Sequence, residues 1–97
     1  MKVVVRTYGG FAPALQPPAR EVHSGDLPPG DAQALSTLVA AVRPGPEAPP
    51  RPDERHYEVT IDSAGVARVL RCADSSMSDA LAALLDFVER HGRRCQP

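Results

Sequence analysis

Three valines in succession, Val3-Val4-Val5, run into Arg6-Thr7-Tyr8-Gly9-Gly10-Phe11-Ala12, and this junction constrains the chain more than any other stretch. β-Branched residues favour an extended backbone. Two consecutive glycines stop a strand, because glycine takes positive φ freely and loses the most entropy when ordered. Phe11 follows directly, with Pro13, Ala14 and Leu15 behind it, so no strand-like alternation hides its ring. The pattern predicts a strand from about Lys2 to Thr7 and a loop that holds an apolar side chain at its tip.

At 97 residues the chain makes one domain with one modest core, assigned to residues 1–92 with a frayed tail at 93–97. Tyr8, Phe11, Tyr57 and Phe87 are its only aromatics, so Val, Leu, Ile and Ala must fill that core. A formal charge of −1 and a pI near 6.3 provide no field to recruit nucleic acid or an anionic membrane. No apolar run approaches the roughly 18 residues a membrane span needs. The N-terminus has no signal-peptide apolar region, which predicts a cytoplasmic protein. Two cysteines, Cys72 and Cys95, are too few for a disulfide framework or a zinc knuckle, and both read as free thiols.

Ala19-Arg20-Glu21-Val22-His23 is a short antiparallel partner for the first strand. Pro13, Pro17 and Pro18 cannot donate to a ladder, so that side of the hairpin must be an edge or open loop. Asp26-Leu27-Pro28-Pro29 reads as a helix start, with Asp26 able to cap and Asp31 adding negative charge to the first turn. Leu35, Leu38, Val39 and Val42 then form an apolar stripe, and Pro44-Gly45 closes the helix. Five prolines between 44 and 52 describe a stiff, extended connector.

From Arg55 to Asp62, Tyr57, Val59 and Ile61 alternate with His56, Glu58, Thr60 and Asp62. Ser63-Ala64-Gly65 turns the chain, and Val66 to Cys72 returns. Ser76-Met77-Ser78-Asp79 matches a capping box with Asp in place of Glu. Met77, Leu81, Leu84, Leu85 and Val88 form the apolar face of the second helix, which Gly92 ends. The order is ββαββα, an α+β fold: a four-stranded antiparallel sheet of two hairpins, with two helices as its apolar cover. Arg90, Arg93 and Arg94 fall where that last helix ends, a position that favours cations.

Catalytic chemistry requires a cluster of titratable or nucleophilic groups with supporting partners. His23, His56 and His91 are scattered, none in a metal-ligand spacing, and each reads as a solvated surface histidine. Cys72 has no glycine elbow, oxyanion loop or orienting carboxylate. Gly9-Gly10 is not followed by a helix whose N-terminus could hold phosphate. Basic and aromatic residues do not interleave on the strands, which argues against single-strand nucleic-acid binding. By elimination the chain is a binding module without metal or cofactor.

Several segments, taken in order, resemble the emfourins, small bacterial protein inhibitors of protealysin-like, thermolysin-family zinc metallopeptidases. They are Val5-Arg6-Thr7-Tyr8-Gly9-Gly10-Phe11-Ala12, Asp26-Leu27-Pro28-Pro29-Gly30-Asp31-Ala32 and Leu38-Val39-Ala40-Ala41. Pro52-Asp53-Glu54-Arg55-His56-Tyr57-Glu58-Val59 and Leu84-Leu85-Asp86-Phe87-Val88 complete the set. The departures are the prolines that lengthen the return of the first hairpin, and Pro44-Gly45-Pro46-Glu47-Ala48 where the family often carries aromatics.

The resemblance implies a protein that is a monomer when free and that inhibits a thermolysin-like peptidase by reversible binding in its cleft. It implies contacts from Tyr8, Gly9, Gly10, Phe11, Ala12 and Pro13. Such enzymes favour a bulky apolar side chain just beyond the scissile bond, which Phe11 could supply as a buried anchor. Gly9 and Gly10 would allow close backbone approach, and Pro13 would lower the ordering entropy lost on binding. Two other readings stay open. Phe11 could fold back as a core plug, and the domain could be an adaptor for a non-protease partner.

Overall fold

Val3, Val4 and Val5 do extend the backbone. In the computed structural model, which describes residues 1–8, 19–43, 55–73 and 76–95, strand β1 spans Lys2–Tyr8. It is followed by β2 (Ala19–His23), a single 3-10 turn (Ser24–Asp26), helix α1 (Pro29–Ala41), β3 (His56–Ser63) and β4 (Val66–Ala73). Helix α2 (Asp79–His91) and a short β5 (Arg93–Cys95) complete the order. The Gly-Gly-Phe loop and the proline-rich connector lie outside the described residues.

The two hairpins make the expected antiparallel sheet, in the order β2-β1-β3-β4, with β5 added beyond β2. The period of two then sorts side chains onto two faces. Val3 faces Val22 on one side and Ile61 on the other, while Val59 lies between Val5 and Leu70. Val3, Val22, Val59, Ile61 and Leu70 are buried with Leu35, Val39 and Val42 and with Leu81, Leu84, Phe87 and Val88 of α2. Both helices therefore cover the same face. The opposite face carries Lys2, Arg6 and Tyr8 of β1, Glu58 and Asp62 of β3, and Val69 and Arg71 of β4.

Four local details differ from the sequence reading. Asp26 does not cap α1: it sits in the 3-10 turn, and Pro28 takes the N-cap position without a side-chain hydrogen bond. Proline tolerates that site because the first helical turn has no use for its missing N–H. The Ser76–Asp79 capping box does not form either. Ser78 is the N-cap and accepts from Leu81 N–H at 3.2 Å, whereas Ser76 bonds the backbone of Ala73.

Phe87 joins the apolar face of α2 as a buried residue and stacks on the His91 ring at 4.4 Å between centroids, while Leu85 is only partly buried. An i, i+3, i+4 set from Leu84 reaches both Phe87 and Val88, so Phe87 belongs to the same stripe.

Residues 93–95 are not frayed. Arg93, Arg94 and Cys95 pair in register with Glu21, Arg20 and Ala19. The reason is Gly92. It ends α2 with its N–H on Val88 O at 2.7 Å, yet its backbone is extended (φ −79°, ψ 164°) rather than left-handed. A Cβ there would meet the carbonyl of Val88 and, at 2.9 Å, that of Glu21. Only glycine lets the end of α2 press against β2, and the chain then continues along a sheet edge whose backbone groups would otherwise lack partners.

Candidate functional site

Tyr8 is the last residue of β1 and the only one of the six proposed contact residues that is described. Gly9, Gly10, Phe11, Ala12 and Pro13 lie outside the described residues. Tyr8 is 41% exposed, one of three large apolar side chains so placed among the described residues, the others being Val66 and Val69. It stands directly across from His56, which in turn faces Ala73. This row closes the sheet at the end where residues 9–18 leave β1 and rejoin β2 at Ala19, and where residue 55 enters β3.

The position follows from local chemistry. Arg6, Thr7 and Tyr8 keep the extended backbone of the valines through their pairing with Glu58, Tyr57 and His56. The ladder to β2 stops earlier, at Val5 opposite Arg20. The described pairing of the last three residues of β1 is with β3, beyond the end of the described ladder to β2.

His56 departs from the surface role expected of it. It is half-buried, and its Nε2 is shielded from solvent with no hydrogen-bond partner. A shielded nitrogen without a partner is costly, which marks the base of the loop as the least satisfied polar point among the described residues. The alternation of Arg55–Asp62 placed His56 on the polar face but carried no signal that this end of the face would be covered.

The next row toward the sheet centre is charged. Arg6 faces Glu58, which faces Arg71, and the Arg71 guanidinium lies 3.4 Å from the Glu58 carboxylate. Arg71 and Glu58 side chains are 64% and 26% exposed, so the pair is solvent-screened.

The other two histidines lie far from this end in register. His23 sits 3.6 Å from Glu21, and His91 stacks on Phe87. Cys72 is half-buried on β4. Among the described residues no group of three His, Cys, Asp or Glu could hold a metal ion, and no helix is long and apolar enough to cross a membrane. Among the described residues this end of the sheet offers an exposed Tyr8 on a strand paired with β3.

The described fold is an α+β domain, one antiparallel sheet covered on one face by two helices, with Tyr8 exposed at the end of β1. The family model that matches the chain, over residues 5–89, is that of emfourin, and the chain belongs to the emfourin family. Among solved structures it is similar to emfourin from Serratia proteamaculans, described as an M4 family peptidase inhibitor, at 22% identity and a TM-score of 0.49. That match covers 96% of this chain and 90% of the other. No curated protein matches the chain.

Proposed function

We propose that this chain inhibits a thermolysin-like, M4-family zinc metallopeptidase by reversible binding across its active-site cleft, with the loop that follows Tyr8 as the inserting element. Family membership carries the reading, because the emfourins are peptidase inhibitors rather than enzymes. The exposed Tyr8 at the open end of a well-paired sheet supports the choice of contact element.

The mechanism follows from the chain's own residues. The sheet supplies a paired base at Tyr8, so that residue loses little backbone entropy on docking. Phe11 enters an apolar subsite as the anchor, Gly9 and Gly10 allow close approach, and Tyr8 adds amphipathic contact area at the rim. Blocking rather than chemistry accounts for inhibition, so no group of the inhibitor needs to react.

Titration of a thermolysin-like peptidase with the purified chain, with and without preincubation, tests the reading. Stoichiometric loss of activity that added zinc does not restore is the expected result. Full residual activity against several such enzymes would overturn it. The Phe11→Ala variant then separates the two roles of the ring. Lost inhibition at an unchanged melting temperature identifies an anchor, whereas a stability loss of about 3–5 kcal/mol identifies a core plug.

A further inference from the structure

Both helices lie on one face of the sheet; no described helix packs on the other, although at its Tyr8 end His56 Nε2 is shielded and Ala73 is buried. On that face the Tyr8 row is followed by the row Arg6, Glu58, Arg71, and then by Glu21, Val4, Thr60 and Val69, the last 50% exposed. Strands lie about 4.8 Å apart, so the two arginine backbones flank Glu58 at roughly 10 Å from one another. Glu58 thus lies between two arginines in the row. Glu58 is engaged by Arg71, and Arg6, which is exposed, has no carboxylate within ion-pair distance among the described residues.

We propose that this uncovered face, through Tyr8, Arg6 and Arg71, is a second part of the peptidase-binding surface and meets a carboxylate-bearing rim of the enzyme's cleft. The inference rests on the inhibitor reading and extends it from the loop onto the sheet. Two observations select the occupant. The row Arg6, Glu58, Arg71 carries one more positive than negative charge and adjoins Tyr8, while Glu21, Lys2 and Asp62 of the same face lie farther from that end. A second copy of the chain would bring the same positive row against it, and like charges in apposition oppose pairing. An acidic protein surface satisfies both. Arg6 and Arg71 are exposed rim groups, so their effect falls on the association rate and its dependence on salt more than on the lifetime of the complex.

The test is the rate at which inhibition sets in when the full-length chain is mixed with a thermolysin-like peptidase that it inhibits. Arg6→Gln and Arg71→Gln each slow association roughly threefold at low ionic strength, and the difference vanishes at about 0.5 M salt, where the Debye length is only a few ångströms. Arg68→Gln serves as the control. It removes the same charge from β4, but Arg68 pairs with Ile61 on the opposite face, and its rate stays at the wild-type value. Melting temperatures of all three variants establish that each is folded. Equal rates for wild type, Arg6→Gln and Arg71→Gln at both salt concentrations would overturn the proposal, as would faster association of either variant. If the wild-type chain inhibits no such peptidase, the inhibitor reading itself falls and this proposal falls with it. Inhibition that is intact but insensitive to both arginines removes the sheet face alone.

Discussion

The Arg93 guanidinium lies 2.6 Å from the Asp26 carboxylate and joins the start of β5 to the turn that precedes α1. The two residues are separated by 67 positions in sequence, so the contact closes the C-terminal end of the chain onto the first half of the domain. Around it, the terminal amine of Met1 donates to Ser24 at 3.0 Å, and Arg20 donates to the Glu89 carbonyl near the end of α2 at 3.2 Å. The ends of the chain are therefore anchored at the sheet edge remote from β4.

Both partners of the Arg93–Asp26 pair are more than half exposed, so the ion pair itself contributes little. Arg93→Ala costs less than about 1 kcal/mol. Deletion of residues 93–97 costs more, because it removes the partner of β2. Hydrogen exchange checks this: amides of Ala19–Glu21 lose protection in the truncated chain and keep it in Arg93→Ala.

Gly92→Ala destabilises the domain by about 1–3 kcal/mol, the usual cost of forcing atoms into a filled space. The added methyl meets two backbone carbonyls, Val88 O and Glu21 O, neither of which can rotate away as a side chain would. Denaturant unfolding measures the loss. A change below about 0.5 kcal/mol, the range of an ordinary surface substitution, would show that α2 and β2 are less closely apposed than described.

The β3–β4 turn carries a correctable strain. Ala64 has φ 53° and Gly65 φ 79°, the paired positive values of a two-residue hairpin turn that favours Asn-Gly. Ala64→Asn raises stability by about 0.5–1 kcal/mol, since a left-handed alanine costs roughly 1–2 kcal/mol and asparagine relieves part of it. Thermal unfolding reads the gain as a rise in midpoint.

Ser78→Ala removes the oxygen that accepts from Leu81 N–H and costs about 1 kcal/mol, the usual value for an N-cap. Ser76→Ala leaves that cap intact, and the contrast identifies which serine starts α2. Equal losses from the two variants would instead restore the Ser76–Asp79 box.

Replacing His56 by Leu is neutral or stabilising by about 1 kcal/mol, because it deletes a shielded nitrogen that has no partner. A loss greater than about 1 kcal/mol would mean that Nε2 is hydrogen-bonded in solution and that the loop base is organised through it. The same variant, assayed for inhibition, reports whether the histidine contributes to binding apart from folding.

Alternation and β-branching placed β1 to β4, because they encode a half-buried sheet and are properties of neighbouring residues. Leu35, Val39 and Val42 were legible for the same reason, as were Leu81, Leu84 and Val88: three- and four-residue spacing puts them on one face whatever they pack against. The resemblance carried by Arg6–Ala12, Asp26–Ala32 and Leu84–Val88 pointed to the family that the comparison establishes. Tyr8 was proposed as a contact residue only through that resemblance; its exposure and its place opposite His56 came from the folded sheet.

What local pattern could not carry was any feature that depends on a distant partner. Asp26 has the chemistry of a cap, but Arg93 claims its carboxylate across the fold. Gly92 reads as a left-handed helix end, but is required because Glu21 O passes beside it. Arg93–Cys95 looks like a frayed tail, and becomes a strand because β2 offers an unpaired edge. The sequence by itself determined which segments extend, which coil and which side of each is apolar. The tertiary structure alone decided the fifth strand, the uncovered charged face and the shielded His56, because each depends on which segments become neighbours once the chain has folded.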